Sequence, residues 1–217
     1  MSELVINKVI ATELPLYPGI GLADITLVSS SALAAEALEA LLAADVIGFD
    51  TESKPTFVKG EVSTGPHLIQ LATDSRAYLF QVAQQPSISA LKAILESPRV
   101  LKVGFGLGND RSALKARLGI DLNHVLDLGE VLRGASHRGT VGAKVAVANF
   151  FAARLQKSKK IGTSNWANAH LADRQLLYAA NDAHVALRIY RQWAQSAEGR
   201  SRVAAGNVGS LALSPTP

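Results

Sequence analysis

The sequence predicts an α/β fold, a central mixed β-sheet flanked by α-helices, and three observations predict it. Short apolar runs at 46–50 and 100–103 stop abruptly at an aspartate and at a glycine, as buried strands do. The runs 67–72 and 77–82 flank a Thr-Asp-Ser turn in the manner of a hairpin. Around them stand segments with apolar residues at helical spacing, and a β-rich first half alternating into helices argues for one sheet covered by helices. At 217 residues, 48% hydrophobic and 18% charged, the chain has the size and balance of one folded domain plus ends.

Taken in order, residues 1–22 show no clean period, carry two prolines and two glycines near their end, and read as an N-terminal arm. Residues 25–28 make a short strand. Ser30 or Ser31 caps a helix to about residue 44, with Leu33, Leu38, Leu41 and Leu42 as its buried stripe. The 46–50 strand follows, then a loop over 53–66 rich in Pro, Gly, Ser and Thr. After the hairpin, Pro86 or Ser87 starts a helix to residue 96. The 100–103 strand leads through a loop at 104–108 into a helix opening near Asn109. A short strand at 124–128 and helical segments at 127–133 and 141–153 come next. The basic loop KSKKIG then precedes Ser164, Asn165 and Trp166. The last long helix covers about 172–197, capped by Asp173 or a neighbour. These bounds give a domain over 23–198 and a small, polar tail over 199–217 that is expected to be disordered. No internal repeat is evident.

Composition excludes several chemistries. There is no cysteine, hence no disulfide framework, thiolate zinc site or thiol nucleophile, which fits a reducing, cytoplasmic location. No apolar run approaches the ~18 residues that would cross a bilayer, and no secretory signal opens the chain. The net charge of +4 is compatible with a polyanionic partner, although solubility explains it equally well.

Five residues carry the chemistry. Asp50 and Glu52 are two apart on a strand, so both carboxylates project to one face beyond its carboxyl end, where open sheets build their sites. Tyr178 and Asp182 are four apart in a helix and share a face. Asp110 lies in the first turn of a helix after a glycine-bearing loop. That loop, Gly104-Phe105-Gly106, invites a dinucleotide reading, but Asn109 replaces the third glycine and Asp110 would repel a pyrophosphate. Singly, each acid reads as a solvated side chain. Four converging carboxylates repel one another unless divalent cations neutralise them, and oxygen-only ligands select magnesium or manganese over zinc. Two ions about 3.5–4 Å apart clamp the attacking and leaving oxygens of a phosphodiester. None of His67, His124, His137, His170 and His184 stands at a zinc-ligand spacing, so each reads as a surface or hydrogen-bonding residue.

The passages FDTESKP, LIQLAT, AYLFQV, LKVGFGLGNDRSAL and KSKKIGTSNWANAHLADRQLLYAANDAHVAL resemble the DEDD superfamily of 3′–5′ exonucleases over 25–193. Within it they are similar to the ribonuclease D and Werner-syndrome exonuclease-domain group. Tyr178 marks the tyrosine-type branch; the histidine-type branch carries histidine where this chain has Leu177. The resemblance implies a ribonuclease H-like fold and two divalent ions, Mg2+ or Mn2+. It implies that Asp50 bridges both ions, that Glu52 and Asp182 complete the first site, and that Asp110 holds the second. Tyr178 orients or helps activate the attacking water, and nucleoside 5′-monophosphates leave from the 3′ end of RNA or DNA. His184 stands where related sequences often have tyrosine, and 217 residues leave no room for the helical domains that accompany ribonuclease D.

For the nucleic acid itself, Lys157, Lys159 and Lys160 are candidates to neutralise phosphates, against a plain solvated loop. Phe57 and Lys59 are candidates to pack on the terminal base and touch the backbone, against core packing for Phe57. Trp166 reads as a structural tie between its loop and the last helix, and Gln70 as structural too. Two rival functions stand beside the exonuclease: an oligoribonuclease-like enzyme for very short RNAs, and an inactive nucleic-acid-binding or interaction domain on the same fold.

Overall fold

The structure, a computed structural model, describes residues 13–56, 60–61, 63–83, 88–133 and 139–205. Within them six strands form one sheet: β1 (Ile25–Leu27), β2 (Val46–Glu52), β3 (Leu68–Ala72), β4 (Ala77–Gln81), β5 (Leu101–Gly104) and β6 (Val125–Asp127). Their spatial order is β1-β4-β3-β2-β5-β6, and β3 alone runs antiparallel to its neighbours. The helices are α1 (Ser31–Ala43), α2 (Ile88–Glu96), α3 (Asp110–Leu118), α4 (Leu128–Val131), α5 (Ala143–Phe151), α6 (Lys159–Gly162), α7 (Asp173–Ala194) and α8 (Ala197–Ala204).

The pleat of β2 sorts the two faces of the sheet. Ile47 and Phe49 turn to one side and pack with Ala34, Ala37 and Leu41 of α1 and Leu91 and Ile94 of α2. Val46 packs on the other side, with Val103 of β5 and Val185, Leu187 and Ile189 of α7. Gly48 stands on that same face, and a Cβ there would lie 1.9 Å from the Ala183 carbonyl oxygen. The missing side chain therefore lets α7 press its backbone against the centre of β2. This close approach puts α7 beside the strand end that carries Asp50 and Glu52.

Expected and observed elements coincide for β1, α1, the hairpin, α2 as far as it is described, β5 and α3. Ser30 is the cap of α1, its Oγ accepting from Leu33 N–H at 3.2 Å. Strand β2 runs on to Glu52 because β3 keeps pairing with it there, Glu52 facing Leu68. Where a basic loop was expected, 159–162 closes one helical turn. The expected disordered tail is corrected over 199–204: α8 is capped by Ser196 Oγ on Gly199 N–H at 3.0 Å, and Arg202 donates to the Val131 carbonyl at 3.1 Å. Part of the arm is likewise ordered, with Arg154 N–H bonded to the Pro15 carbonyl at 2.7 Å. The Asn181 amide grips both Ile20 N–H (2.9 Å) and the Ile20 carbonyl (3.2 Å). One buried cation stands apart from any site: Lys102 of β5 donates to the Ser97 and Val100 carbonyls at 2.6 and 3.0 Å, closing the exit from α2.

Candidate active site

The end of β2 and the middle of α7 bring three acids together. Asp50, Glu52 and Asp182 each place a carboxylate oxygen so that the three lie within 4.8 Å of one another. Among the described residues this is the group of acidic or histidine side chains close enough to share a cation, and no histidine joins it. Tyr178, one turn ahead on α7, bonds its phenol to Asp182. The phenol is hemmed in behind: a Cβ on Gly162 would stand 2.8 Å from its oxygen. Trp166 donates its indole N–H to the Gly162 carbonyl at 3.1 Å and lies tilted on the Tyr178 ring, centroids 6.0 Å apart. Trp166 thus ties its loop to α7 and fixes the wall behind the tyrosine.

Asp110 sits one step away. Its carboxylate is outside the close trio and accepts a 2.5 Å hydrogen bond from Thr51 Oγ, the residue between Asp50 and Glu52. Its charge still reaches both of them. The loop that delivers it is pinned by Asp127 at the end of β6, whose carboxylate accepts from Gly106 N–H (3.2 Å), Leu107 N–H (2.8 Å) and Gly129 N–H (2.8 Å). Those loop amides are taken, so the strand–glycine–helix passage offers no anion cradle of the dinucleotide kind.

Crowding sets the electrostatics. Burial, then repulsion from Asp182 and Asp110, holds the Asp50 carboxyl well above the ordinary range. Burial with the charges of Asp50 and Asp182 pushes Glu52 up to about 9. Asp110 is raised by burial against the Thr51 hydrogen bond, and Asp182 by burial against its bonds to Lys157 and Tyr178. Burial, then the surrounding carboxylates, raises the Tyr178 phenol, which stays protonated at neutral pH. Among the described residues, the cation inside this set is Lys157, its Nζ 2.9 Å from Asp182 Oδ2 and 5.7 Å from the centre of the Tyr178 ring. Burial alone would lower its pKa, but Asp182 and Asp50 raise it, so it is an ammonium.

The three lysines read as one basic loop therefore separate. Lys159 and Lys160 are exposed on α6, whereas Lys157 turns into the acidic cluster because Asp182 offers a partner that its helix neighbours do not. Phe57 and Lys59 lie outside the described residues. Gln70 is fully buried opposite Asp50 in the β2–β3 pairing. His67 and His184 hydrogen-bond to Lys54 N–H and the Asp74 carbonyl, and His170 is exposed; His137 lies outside the described residues. Beside the trio runs a groove of about 780 Å³, lined by Thr51, Ser53, Asp110, Ser112 and Arg117 among others. Sequence reasoning missed Thr51, Asp127 and Gly162. Nothing in a lone threonine, a strand-end aspartate or a loop glycine marks it; only the fold shows what each one touches.

A sheet in this order with helices on both faces is a ribonuclease H-like fold, shared with RNase D of Escherichia coli at a TM-score of 0.67 and 22% identity, over 85% of this chain and 50% of that one. Within that fold, the chain belongs to the 3′–5′ exonuclease family, which it matches over residues 25–196. It is 31% identical over 153 residues to the bifunctional 3′–5′ exonuclease/ATP-dependent helicase WRN of Mus musculus, covering 68% of this chain and 11% of that protein. The Nibbler EXO domain of Aedes aegypti superposes with a TM-score of 0.70 at 26% identity, over 85% of this chain and 96% of that one. The expected family is therefore met at the level of the 3′–5′ exonucleases, with similarity to the Werner-type exonuclease in sequence and to ribonuclease D in fold. The chain spans about half the length, or less, of the curated relatives it matches.

Proposed function

We propose that this chain is a metal-dependent 3′–5′ exonuclease that hydrolyses phosphodiester bonds at the 3′ end of RNA or DNA and releases nucleoside 5′-monophosphates. The observation that carries this reading is the convergence of Asp50, Glu52 and Asp182 on a buried strand end, with the Tyr178 phenol bonded to the last of them. Among the described residues these crowded carboxylates have one cation beside them, Lys157, and so are short of positive charge, and an all-oxygen donor set fits Mg2+ or Mn2+. Asp50 would be shared between two ions, with Glu52 and Asp182 on the first and Asp110 on the second. When bound, the ions supply charge stabilisation for the phosphate and a lowered pKa for the attacking water.

The chain's own residues do the rest. Tyr178, kept protonated by its surroundings, gives its one O–H to Asp182 and orients the water through its phenol oxygen, which accepts a hydrogen bond and does not abstract the proton. Trp166 and Gly162 hold that phenol in place from behind. The hydroxyls of Thr51, Ser53 and Ser112 and the Arg117 guanidinium line the groove beside Asp110, where the last nucleotides of a strand would lie.

The test is a panel of RNA, DNA and duplex substrates, labelled at either end, with Mg2+ or Mn2+. Strands labelled at the 5′ end should shorten from the other end one nucleotide at a time, and the 3′ label should leave as a mononucleotide. Asp50→Ala should stop both without changing the far-ultraviolet circular dichroism. Activity confined to two-residue RNAs would favour the oligoribonuclease reading, and no shortening with either metal would leave a binding module.

A further inference from the structure

Lys157 occupies the place where the acidic site most needs positive charge. Its Nζ is 2.9 Å from Asp182 Oδ2 and 5.7 Å from the Tyr178 ring centre, and it feels the charges of Asp50 and Glu52. The ammonium therefore serves the same trio of carboxylates that would hold a divalent ion. A mobile cation and a tethered one compete for the same oxygens.

The chain is built so that the tether can let go. Ala153 and Leu155 are buried, and Arg154 is stitched to the arm through the Pro15 carbonyl (2.7 Å) and Tyr17 N–H (3.0 Å), so the backbone just ahead of Lys157 is held. The lysine stem has four rotatable methylenes and a strongly hydrated head, so it can swing to solvent while its backbone stays put. The Lys157 side chain keeps 28% of its surface exposed, against 5% for Asp182, which leaves it a way out to solvent.

Resting on the metal-site reading above, we propose that Lys157 is a built-in stand-in cation. It pairs with Asp182 beside Asp50 and Glu52 in the metal-free protein and is expelled when a divalent ion enters, so metal binding and release of Lys157 are one exchange. The exchange keeps the fold stable between loadings and sets how tightly metal is held.

Two measurements test it, with Mn2+ as the probe. Titration calorimetry and thermal melting compare the unaltered protein with Lys157→Gln, which removes the charge and leaves a shorter polar side chain. The variant should melt lower without metal and bind Mn2+ about tenfold tighter, since breaking a buried pair strands the acid that Mn2+ then satisfies. A merely structural salt bridge would lower both melting temperatures equally and leave Mn2+ affinity unchanged or weaker, and either result overturns the proposal. The second measurement uses the unaltered protein, so it holds even if the variant fails to fold. Brief acetylation read by mass spectrometry should show Lys157 labelling rise several-fold on adding Mn2+, with exposed Lys159 and Lys160 as unchanged references. Constant Lys157 labelling in the presence of bound Mn2+ overturns the proposal alone. Absence of Mn2+ binding to the unaltered protein overturns the metal-site reading along with it.

Discussion

At the scale of single residues, position decides role more than residue type does. Tyr178 and Tyr190 lie on the same helix, yet only Tyr178 bonds to an acid of the cluster and is walled in by Gly162 and Trp166. Tyr178→Phe should cut kcat by about 100-fold, the order lost when one positioned hydrogen-bonding group is removed from an active site, while calorimetric Mn2+ affinity stays within a factor of about two. Equal losses in both would remove the orienting role. The crowding also predicts a pH dependence. Folded, metal-free Glu52 keeps its proton up to about 9, whereas an unfolded chain releases it near 4.5. Between those values the folded form binds more protons, so the metal-free protein loses stability as pH rises. A divalent ion needs ionised carboxylates, so its binding expels protons and strengthens over the same window. The rise in melting temperature caused by Mn2+ should accordingly be larger at about pH 8 than at about pH 6; an equal rise at both would mean that the acids are already ionised.

At the scale of elements, the meeting of α7 with β2 is the joint on which the cluster depends. Gly48→Ala would set a methyl 1.9 Å from the Ala183 carbonyl, and backbone cannot rotate away as a side chain can. The cost should be about 3 kcal/mol in urea unfolding, the upper end of ordinary overpacking, with metal affinity falling as Asp182 is lifted from Asp50. This joint explains what was legible in the sequence. Strand β2 announced itself through its apolar run and α7 through its length and period, and the spacings 50/52 and 178/182 follow from strand and helix geometry alone. The short helices α6 and α8 were not legible, because they are fixed by a few tertiary bonds such as that from Arg202 to the Val131 carbonyl. The partner of Lys157 was hidden for the same reason. A lysine in KSKK reads as solvated until a buried partner 25 residues later, Asp182, is seen within 2.9 Å.

At the scale of the molecule, the distribution of charge is uneven in a useful way. Lys159 and Lys160 stand exposed on α6, within a few residues of the Gly162 that backs Tyr178, and Arg117 lines the groove on the other flank by Asp110. A strand entering the site would pass between cations that are free of the acidic cluster. The double variant Lys159→Gln/Lys160→Gln should reduce the slope of log affinity against log salt by about 1.4, at roughly 0.7 per phosphate contact on a single strand. A slope unaltered within error would return these lysines to plain surface. No described helix is long and apolar enough to cross a membrane.

The pairing of Asn181 with Ile20 has an effect on its neighbour. Asn181 clasps the chain ahead of β1 through both Ile20 N–H and the Ile20 carbonyl, and Asp182 is the next residue along α7. Helix α7 cannot roll about its own axis without tearing both of those bonds, so the azimuth of the Asp182 carboxylate is held from outside the sheet as well as by the packing on β2. Deleting residues 13–22 would spare every acidic side chain, yet it would leave their last member to the grip of the sheet alone.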